Sequence, residues 1–265
     1  MRVAVITGSG IDSLPEMRGA SRRTVSTRFG EVRLIEGDLA GVDAVQISRH
    51  GERHERLSNH VDHRANVLAL ADAEVDGVLA VTVCGALDAS IALGSLVVFD
   101  DLYFPSNRLP DGSLCTLHDR PGVPGRGHWI FEQPFNLQLR AALIDGARAE
   151  SLTVYDGGCY GHVDGPRFNS SSEIGALRAA GVSAVSQTAG PEVVLAGEAR
   201  LPYALIGYVT DYASGVTQTP TPTEELMRLL GEGAQALAAA LTGAARNLAS
   251  TGPALAPAGT VVSFQ

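Results

Sequence analysis

Ser48-Arg49-His50-Gly51-Glu52-Arg53-His54 gathers two guanidinium and two imidazole groups directly after the apolar run Ala44 to Ile47. Cationic and hydrogen-bonding groups at the end of a strand can hold an anion. The stretch also reads as a solvated loop with Arg53, Glu52 and Glu55 paired on the surface. We take that second reading for Arg53 and His54, and for Arg49 and His50 both stand. The histidines have no carboxylate or histidine partner at helical spacing, so no metal-ligand pattern forms. The chain contains no lysine at all: its 20 Lys and Arg residues are all arginine. That excludes Schiff-base lysine chemistry and the Gly-Lys-Ser/Thr phosphate loop. Any anion must be held by arginine, histidine, hydroxyls and backbone amides, and a planar guanidinium fixes an oxyanion's orientation where an ammonium does not.

Further candidates sit at the ends of apolar runs. Gly8-Ser9-Gly10 follows the first run, where glycines let the backbone turn closely around a ligand; taken alone, a plain tight turn explains it better. It lacks the third glycine of a dinucleotide fingerprint. Thr82, in Val81-Thr82-Val83-Cys84-Gly85-Ala86-Leu87, would present a hydroxyl where strand tips of an open α/β sheet receive ligands. Cys84 has no basic neighbour in sequence and reads as structural. Phe168, in Gly165-Pro166-Arg167-Phe168, is either a stacking platform for a flat ligand or a loop anchor. Gln187-Thr188 and Thr210-Asp211-Tyr212 end two more runs. A lone carboxylate at a sheet's C-terminal edge is a candidate general acid, or simply a cap of the following turn.

The elements that must position these groups alternate along the chain. Strands are predicted at Arg2 to Thr7, Val78 to Thr82, Ser95 to Phe99, Ser151 to Tyr155, Val182 to Val185 and Pro202 to Val209. Helices are predicted at Val61 to Asp72, Pro134 to Ala149, Ser172 to Ala180, Pro191 to Ala199 and Thr223 to Leu248. This alternation predicts an α/β fold with a mixed or mostly parallel central sheet flanked by helices. No repeat or composition shift divides the chain, so residues 1–249 read as one domain and residues 250–265, rich in Pro, Ala and Gly, as a flexible tail. The Pro/Gly/Asp-rich stretch Asn107 to Gly127 reads as a long loop of the kind that often carries function.

Composition narrows the classes. A chain of 265 residues with 45% hydrophobic and 18% charged content has the profile of a globular protein. A net charge of −9 with scattered arginines argues against nucleic-acid binding. No segment approaches the roughly 18 uninterrupted apolar residues of a membrane span, and no secretory leader is visible. Cys84, Cys115 and Cys159 lack metal spacing and read as reduced thiols. A cytoplasmic location is therefore expected.

Taken together and in order, the motifs resemble a known family. Gly8-Ser9-Gly10, Ser48-Arg49-His50-Gly51 with His54, Arg64-Ala65-Asn66, Thr82 to Leu87, Gly165-Pro166-Arg167-Phe168, Thr188 with Pro191-Glu192-Val193-Val194-Leu195-Ala196, and Thr210-Asp211-Tyr212 are similar to trimeric purine nucleoside phosphorylases. The 5′-methylthioadenosine and methylthioinosine phosphorylases are the most similar branch. The resemblance runs from about Val3 to Leu241. It implies a phosphorylase-type fold and a homotrimer, alone or as a dimer of trimers. It implies no metal or other cofactor, inorganic phosphate being a co-substrate. Phosphate would lie against Ser9, Arg49, His50, Thr82, Val83 and Thr188. The base and ribose would meet Cys84, Gly85, Phe168, Gln187 and Asp211, with Asp211 donating a proton to the leaving purine. His128 would reach into the neighbouring subunit's 5′ pocket.

The chain departs from the family pattern at defined places. Ala213 stands where methylthioadenosine phosphorylases carry a second aspartate. Gln187 replaces the methionine beside the ribose, Ser58 a proline, His63 a tyrosine and Ser171 an arginine. The expected activity is phosphorolysis of a purine nucleoside of the methylthioadenosine type. The alternatives are a 6-oxopurine nucleoside phosphorylase, or a catalytically weak nucleoside-binding protein of the same fold. Retention of Arg49, His50, Thr82 and Thr188 counts against the binding protein. Calcium-dependent nucleoside hydrolysis would need an aspartate cluster that the sequence lacks.

Overall fold

The computed structural model describes residues 1–9, 11, 14 and 17–263. The predicted Gly10 lies outside the described residues. The first strand, β1 (Arg2–Thr7), shows how the architecture arises. Its side chains alternate, Val3 and Val5 entering one apolar layer and Ala4 and Ile6 the other. A strand apolar on both faces must be covered on both faces. A hairpin of β2 (Met17–Thr27) and β3 (Gly30–Leu39) leads into β4 (Val42–Ser48), which pairs parallel to β1. Helix α1 (His63–Asp72) then leads to β5 (Gly77–Ala86), parallel on β1's other side.

The remaining strands are β6 (Leu96–Val98), β7 (Asp101–Tyr103), β8 (Gly127–Phe131), β9 (Val154–Asp156), β10 (Cys159–His162), β11 (Val182–Ser186), β12 (Tyr203–Tyr212) and β13 (Gly259–Ser263). Helices α2 (Leu137–Ala149), α3 (Ser171–Ala179), α4 (Ala189–Glu198) and α5 (Thr223–Thr251) complete the chain. Among the described residues, eleven strands form one mixed sheet in the order β2-β3-β4-β1-β5-β11-β10-β7, with β12, β6 and β9 branching from β5. Helices α2 and α5 close one apolar layer, and α1 and α4 the other. The predicted α/β class with a mixed, helix-flanked sheet is what the structure has.

Strand β5 governs the geometry of the site. It runs parallel to β1 and β12 over most of its length, then meets β11 antiparallel at Gly85 and Ala86. The switch brings the end of β11 beside the end of β5. The C-terminal ends of β1, β4, β5 and β12 share one edge, where open α/β sheets take their ligands.

One sequence expectation holds only as to form, a long connection, and another fails. The stretch from residue 107 to 127 does not border the cleft described below. It packs Leu109, Cys115 and Leu117 against Val67 and Leu195, and Glu198 accepts from the Thr116 hydroxyl and the Leu117 amide. The predicted tail from residue 250 is likewise built in. Helix α5 continues to Thr251, Ala256 accepts from the Asn136 amide at 2.8 Å, and β13 pairs with β8. Leu255 packs on the main core and Val261 is buried. Pro, Ala and Gly gave no periodic signal, yet two apolar side chains were enough to dock the segment. A chain truncated after Gly252 is expected to lose about 2–4 kcal/mol of stability in urea unfolding, from re-exposing these apolar surfaces. An unchanged midpoint would restore the loose-tail reading.

Candidate active site

One cleft of about 240 Å³ opens at the shared strand edge, and every predicted site residue except His128 lines it. At one end stand Ser9, Arg49, His50, Thr82 and Thr188; at the other stand Gly85, Phe168 and Asp211.

Arg49 is among the largest fully buried side chains of the described residues, 1% exposed. Its Nε and Nη2 donate to the two carboxylate oxygens of Glu192 at 2.7 and 2.8 Å, and Nη1 donates to the Val81 carbonyl at 2.5 Å. The Tyr203 hydroxyl also donates to Glu192 at 2.8 Å. Burial alone would push Arg49 down and Glu192 up. Their mutual attraction and hydrogen bonds overrule it, holding Glu192 below and Arg49 above the usual range. The sequence left Arg49 between an anion site and a solvated loop; the structure buries it at the edge of the cleft and spends three of its five N–H donors on protein. A side chain at Gly8 would collide with this guanidinium, so the glycine after β1 is fixed by close packing.

His50 is oriented by its loop. Its Nδ1 lies 2.8 Å from the Arg56 carbonyl, which can only accept, so Nδ1 carries the proton. Its Nε2 is then the acceptor, because burial first, and then the Arg49 and His54 charges, push the imidazole down to about 4. A neutral His50 can accept the P–O–H hydrogen of a phosphate. His54, taken from sequence as a solvated surface residue, instead lines the cleft and stacks on His50 with ring centroids 4.1 Å apart.

Hydroxyls complete the anion end. Thr82 Oγ1 lies 2.8 Å from Ser186 Oγ, a pairing that the β5–β11 junction creates. Thr188 is the N-cap residue of α4, but its hydroxyl makes no capping bond. The site thus sits at a helix start, where amides and the helix dipole favour negative charge.

At the other end, β12 bulges between Val209 and Asp211, so Asp211 lies opposite Gly85. Bulges re-aim side chains in this way. Thr210 Oγ1 donates to Asp211 Oδ1 at 2.9 Å, leaving Oδ2 beside Gly85. Burial raises Asp211 above the usual aspartate range, against the lowering effect of Thr210. Burial thus makes this carboxyl easier to protonate than a free aspartate. Phe168 is 67% exposed on the cleft wall, and its loop is fixed by the bidentate Arg167–Glu173 pair and the Ser170–Glu173 capping box at α3. Cys84 is buried and its thiol is pushed up by burial, so it offers no thiolate.

His128 lies exposed on β8, opposite Val262 of β13, and is not part of this cleft. Sequence reasoning missed Ser186 and Leu57. Ser186 directly precedes the singled-out Gln187, so an alternation argument along β11 could have found it; Leu57 carries no signal. Two departures from the family pattern, Ser58 and Gln187, meet through a hydrogen bond of 3.0 Å. Among the described residues, no group of His, Cys, Asp or Glu is placed to hold a metal.

The pair beneath the anion end has a measurable consequence. Glu192→Gln leaves the Arg49 charge without its counter-charge in a buried site and is expected to cost about 3–5 kcal/mol in denaturant unfolding. A loss below about 1 kcal/mol, the scale of an exposed pair, would contradict the buried-pair description.

The comparisons agree with this geometry. Residues 2–246 match the model of the Phosphorylase superfamily. A probable 6-oxopurine nucleoside phosphorylase of Thermococcus kodakarensis is 33% identical over 235 residues, covering 87% of this chain and 86% of that one. An S-methyl-5′-thioadenosine phosphorylase of Anopheles gambiae is 36% identical over 216 residues, 80% of this chain and 76% of the relative. The structure of methylthioadenosine phosphorylase from Schistosoma mansoni in complex with adenine superposes with a TM-score of 0.85 at 29% identity, covering 94% and 92% of the two chains. With the fold, the length matched and the sequence in agreement, this chain belongs to the phosphorylase superfamily.

Proposed function

We propose that the chain is a purine nucleoside phosphorylase, a pentosyltransferase that cleaves the N-glycosidic bond of a 5′-methylthioadenosine-like nucleoside with inorganic phosphate. The observation that supports this reading is one cleft that gathers Arg49, His50, Thr82 and Thr188 at one end and, opposite them, the Asp211 carboxyl, which burial makes easier to protonate. Phosphate at Ser9, Arg49, His50, Thr82, Val83 and Thr188 would attack the anomeric carbon as the bond to N9 lengthens. The bonding pair leaves with the purine, and Asp211 delivers its proton to N7, so the base departs neutral. Phe168 would stack on the purine, with Cys84, Gly85 and Gln187 lining the base and ribose. Much of the catalysis would be positioning.

A single protonated aspartate suits a 6-aminopurine. Its O–H faces N7 while its other oxygen accepts from the exocyclic amine. One observation favours a second reading, a 6-oxopurine nucleoside: Ala213, buried at the cleft, supplies no second carboxylate to select the amine. Phosphate-dependent base release from adenosine, inosine, methylthioadenosine and methylthioinosine separates the two.

The reading includes a homotrimer in which His128 reaches a neighbour's 5′ pocket. Its support is the apolar surface around His128, where Ile130, Phe131 and Val262 are exposed. Multi-angle light scattering is expected to give three times the chain mass; a monomer would remove His128 from the site. Among the described residues no helix is long and apolar enough to cross a membrane; the proposed location is the cytoplasm, with neither membrane nor nucleic acid as a partner.

Two variants test the roles. Asp211→Asn is expected to cut turnover by about 10²–10⁴, the usual worth of a general acid, with the KM for phosphate little changed. In the unsubstituted enzyme the rate is expected to fall as pH rises through Asp211's raised pKa, because the acid form is lost. Full activity of the variant would take Asp211 out of the chemistry. Arg49→Lys keeps a cation for Glu192 but loses the planar fork, and is expected to raise the KM for phosphate about ten- to hundredfold. An unchanged phosphate dependence would sink the anion site.

A further inference from the structure

The Gln187 carboxamide joins three separate segments of the cleft wall. Its Oε1 accepts from Ser58 Oγ at 3.0 Å, and its Nε2 donates to the Arg167 carbonyl at 2.9 Å. A carbonyl can only accept, so the nitrogen must face Arg167 and the amide's orientation is fixed. Gly165 packs directly on the Ser58–Gln187 contact, and a Cβ there would overlap both polar atoms. Ser58 is buried, and its hydroxyl is directed at Gln187. The amide therefore cannot rotate without breaking two bonds. One Nε2 hydrogen and one Oε1 lone pair remain unused by these bonds, on a residue that borders the cleft.

The position of Gln187 identifies what it faces. It is followed directly by Thr188 of the anion end, and it is tied through the Arg167 carbonyl to the residue before Phe168 at the base end. Phosphate attacks the anomeric carbon from one end while the base leaves towards the other, so the sugar lies between the two ends. The sugar hydroxyl nearest the anomeric carbon is the one on C2′.

We propose that Gln187, held rigid by Ser58 and the Arg167 carbonyl, is a specificity-determining residue that hydrogen-bonds the 2′-hydroxyl and makes the enzyme select ribonucleosides over 2′-deoxyribonucleosides. This rests on the phosphorolysis reading. A pre-oriented polar group discriminates strongly because a substrate without the hydroxyl leaves it unpaired. Ser58 acts through Gln187 and is a positioning residue.

The experiment compares kcat/KM for adenosine against 2′-deoxyadenosine, and for inosine against 2′-deoxyinosine, at saturating phosphate. It uses the full chain, Gln187→Met and Ser58→Ala. The unsubstituted enzyme is expected to prefer the ribonucleosides. Gln187→Met, close in volume, is expected to lower the ribo/deoxy ratio about tenfold, the effect of one hydrogen bond to a ligand, with the KM for phosphate moved less than about twofold. Ser58→Ala removes only the tether and is expected to shift the ratio the same way by a smaller factor. Equal losses on both sugars, or an unchanged ratio in both variants, would overturn the proposal and leave Gln187 a wall residue. Should Gln187→Met fail to fold, the ratio in Ser58→Ala decides by itself. Turnover of the unsubstituted enzyme carries the phosphorolysis reading and the ratios carry the specificity, so the two fail separately.

Discussion

The bidentate pair between Arg49 and Glu192 is the constraint on which the site's geometry depends. It lies wholly inside the protein, 1% and 0% exposed, and joins the end of β4 to the first turn of α4. Val81 of β5 and Tyr203 of β12 complete its hydrogen bonds. Removing two charges from water costs several kcal/mol per ion, recovered only when geometry and hydrogen bonding are nearly complete. Once satisfied, the arrangement has little freedom to move, and it fixes Thr188 at the N-terminus of α4 relative to the strand ends. Only a planar, forked cation can meet both carboxylate oxygens and a carbonyl while still turning donors to a cleft. In a chain without lysine the guanidinium is the structural joint, and in the proposed reading it is the anion ligand as well.

The electrostatics of the two ends are complementary. Burial pushes His50 down to about 4 and raises Asp211 above the usual aspartate range, in each case by penalising the charged form. A neutral His50 adds no cation beside Arg49 and offers an acceptor to a protonated phosphate oxygen. In the proposed reading, the raised Asp211 is readier to take up the proton that it would pass to the leaving base. The same physical effect thus acts at both ends of the cleft, in the sense that the proposed reading requires. His63 and His162, pushed by burial to about 4 and about 3, extend the uncharged surroundings behind the pair.

How much of this was legible in the sequence follows from locality. Strands buried on both faces, such as β1 and β5, announce themselves as apolar runs, and the helices between them by their spacing. The β2–β3 hairpin does not, because Arg18, Arg22, Arg23 and Ser21 leave β2 exposed on both faces without alternation. The residues around the cleft were legible as a set because strand ends carry polar residues after apolar runs. Their partners were not. Glu192 is 143 residues from Arg49, and Ser58 is 129 from Gln187. No local pattern links positions that only the sheet brings together. The bulge that aims Asp211 was hidden for the same reason, since it is defined only against β5.

The most direct measurement follows phosphorus-31 resonances while the unsubstituted enzyme consumes a purine nucleoside in phosphate buffer. The two-ended cleft requires a sugar 1-phosphate resonance that grows in step with free base, and no base release when phosphate is omitted. Free sugar in place of the ester, or equal base release without phosphate, would contradict it.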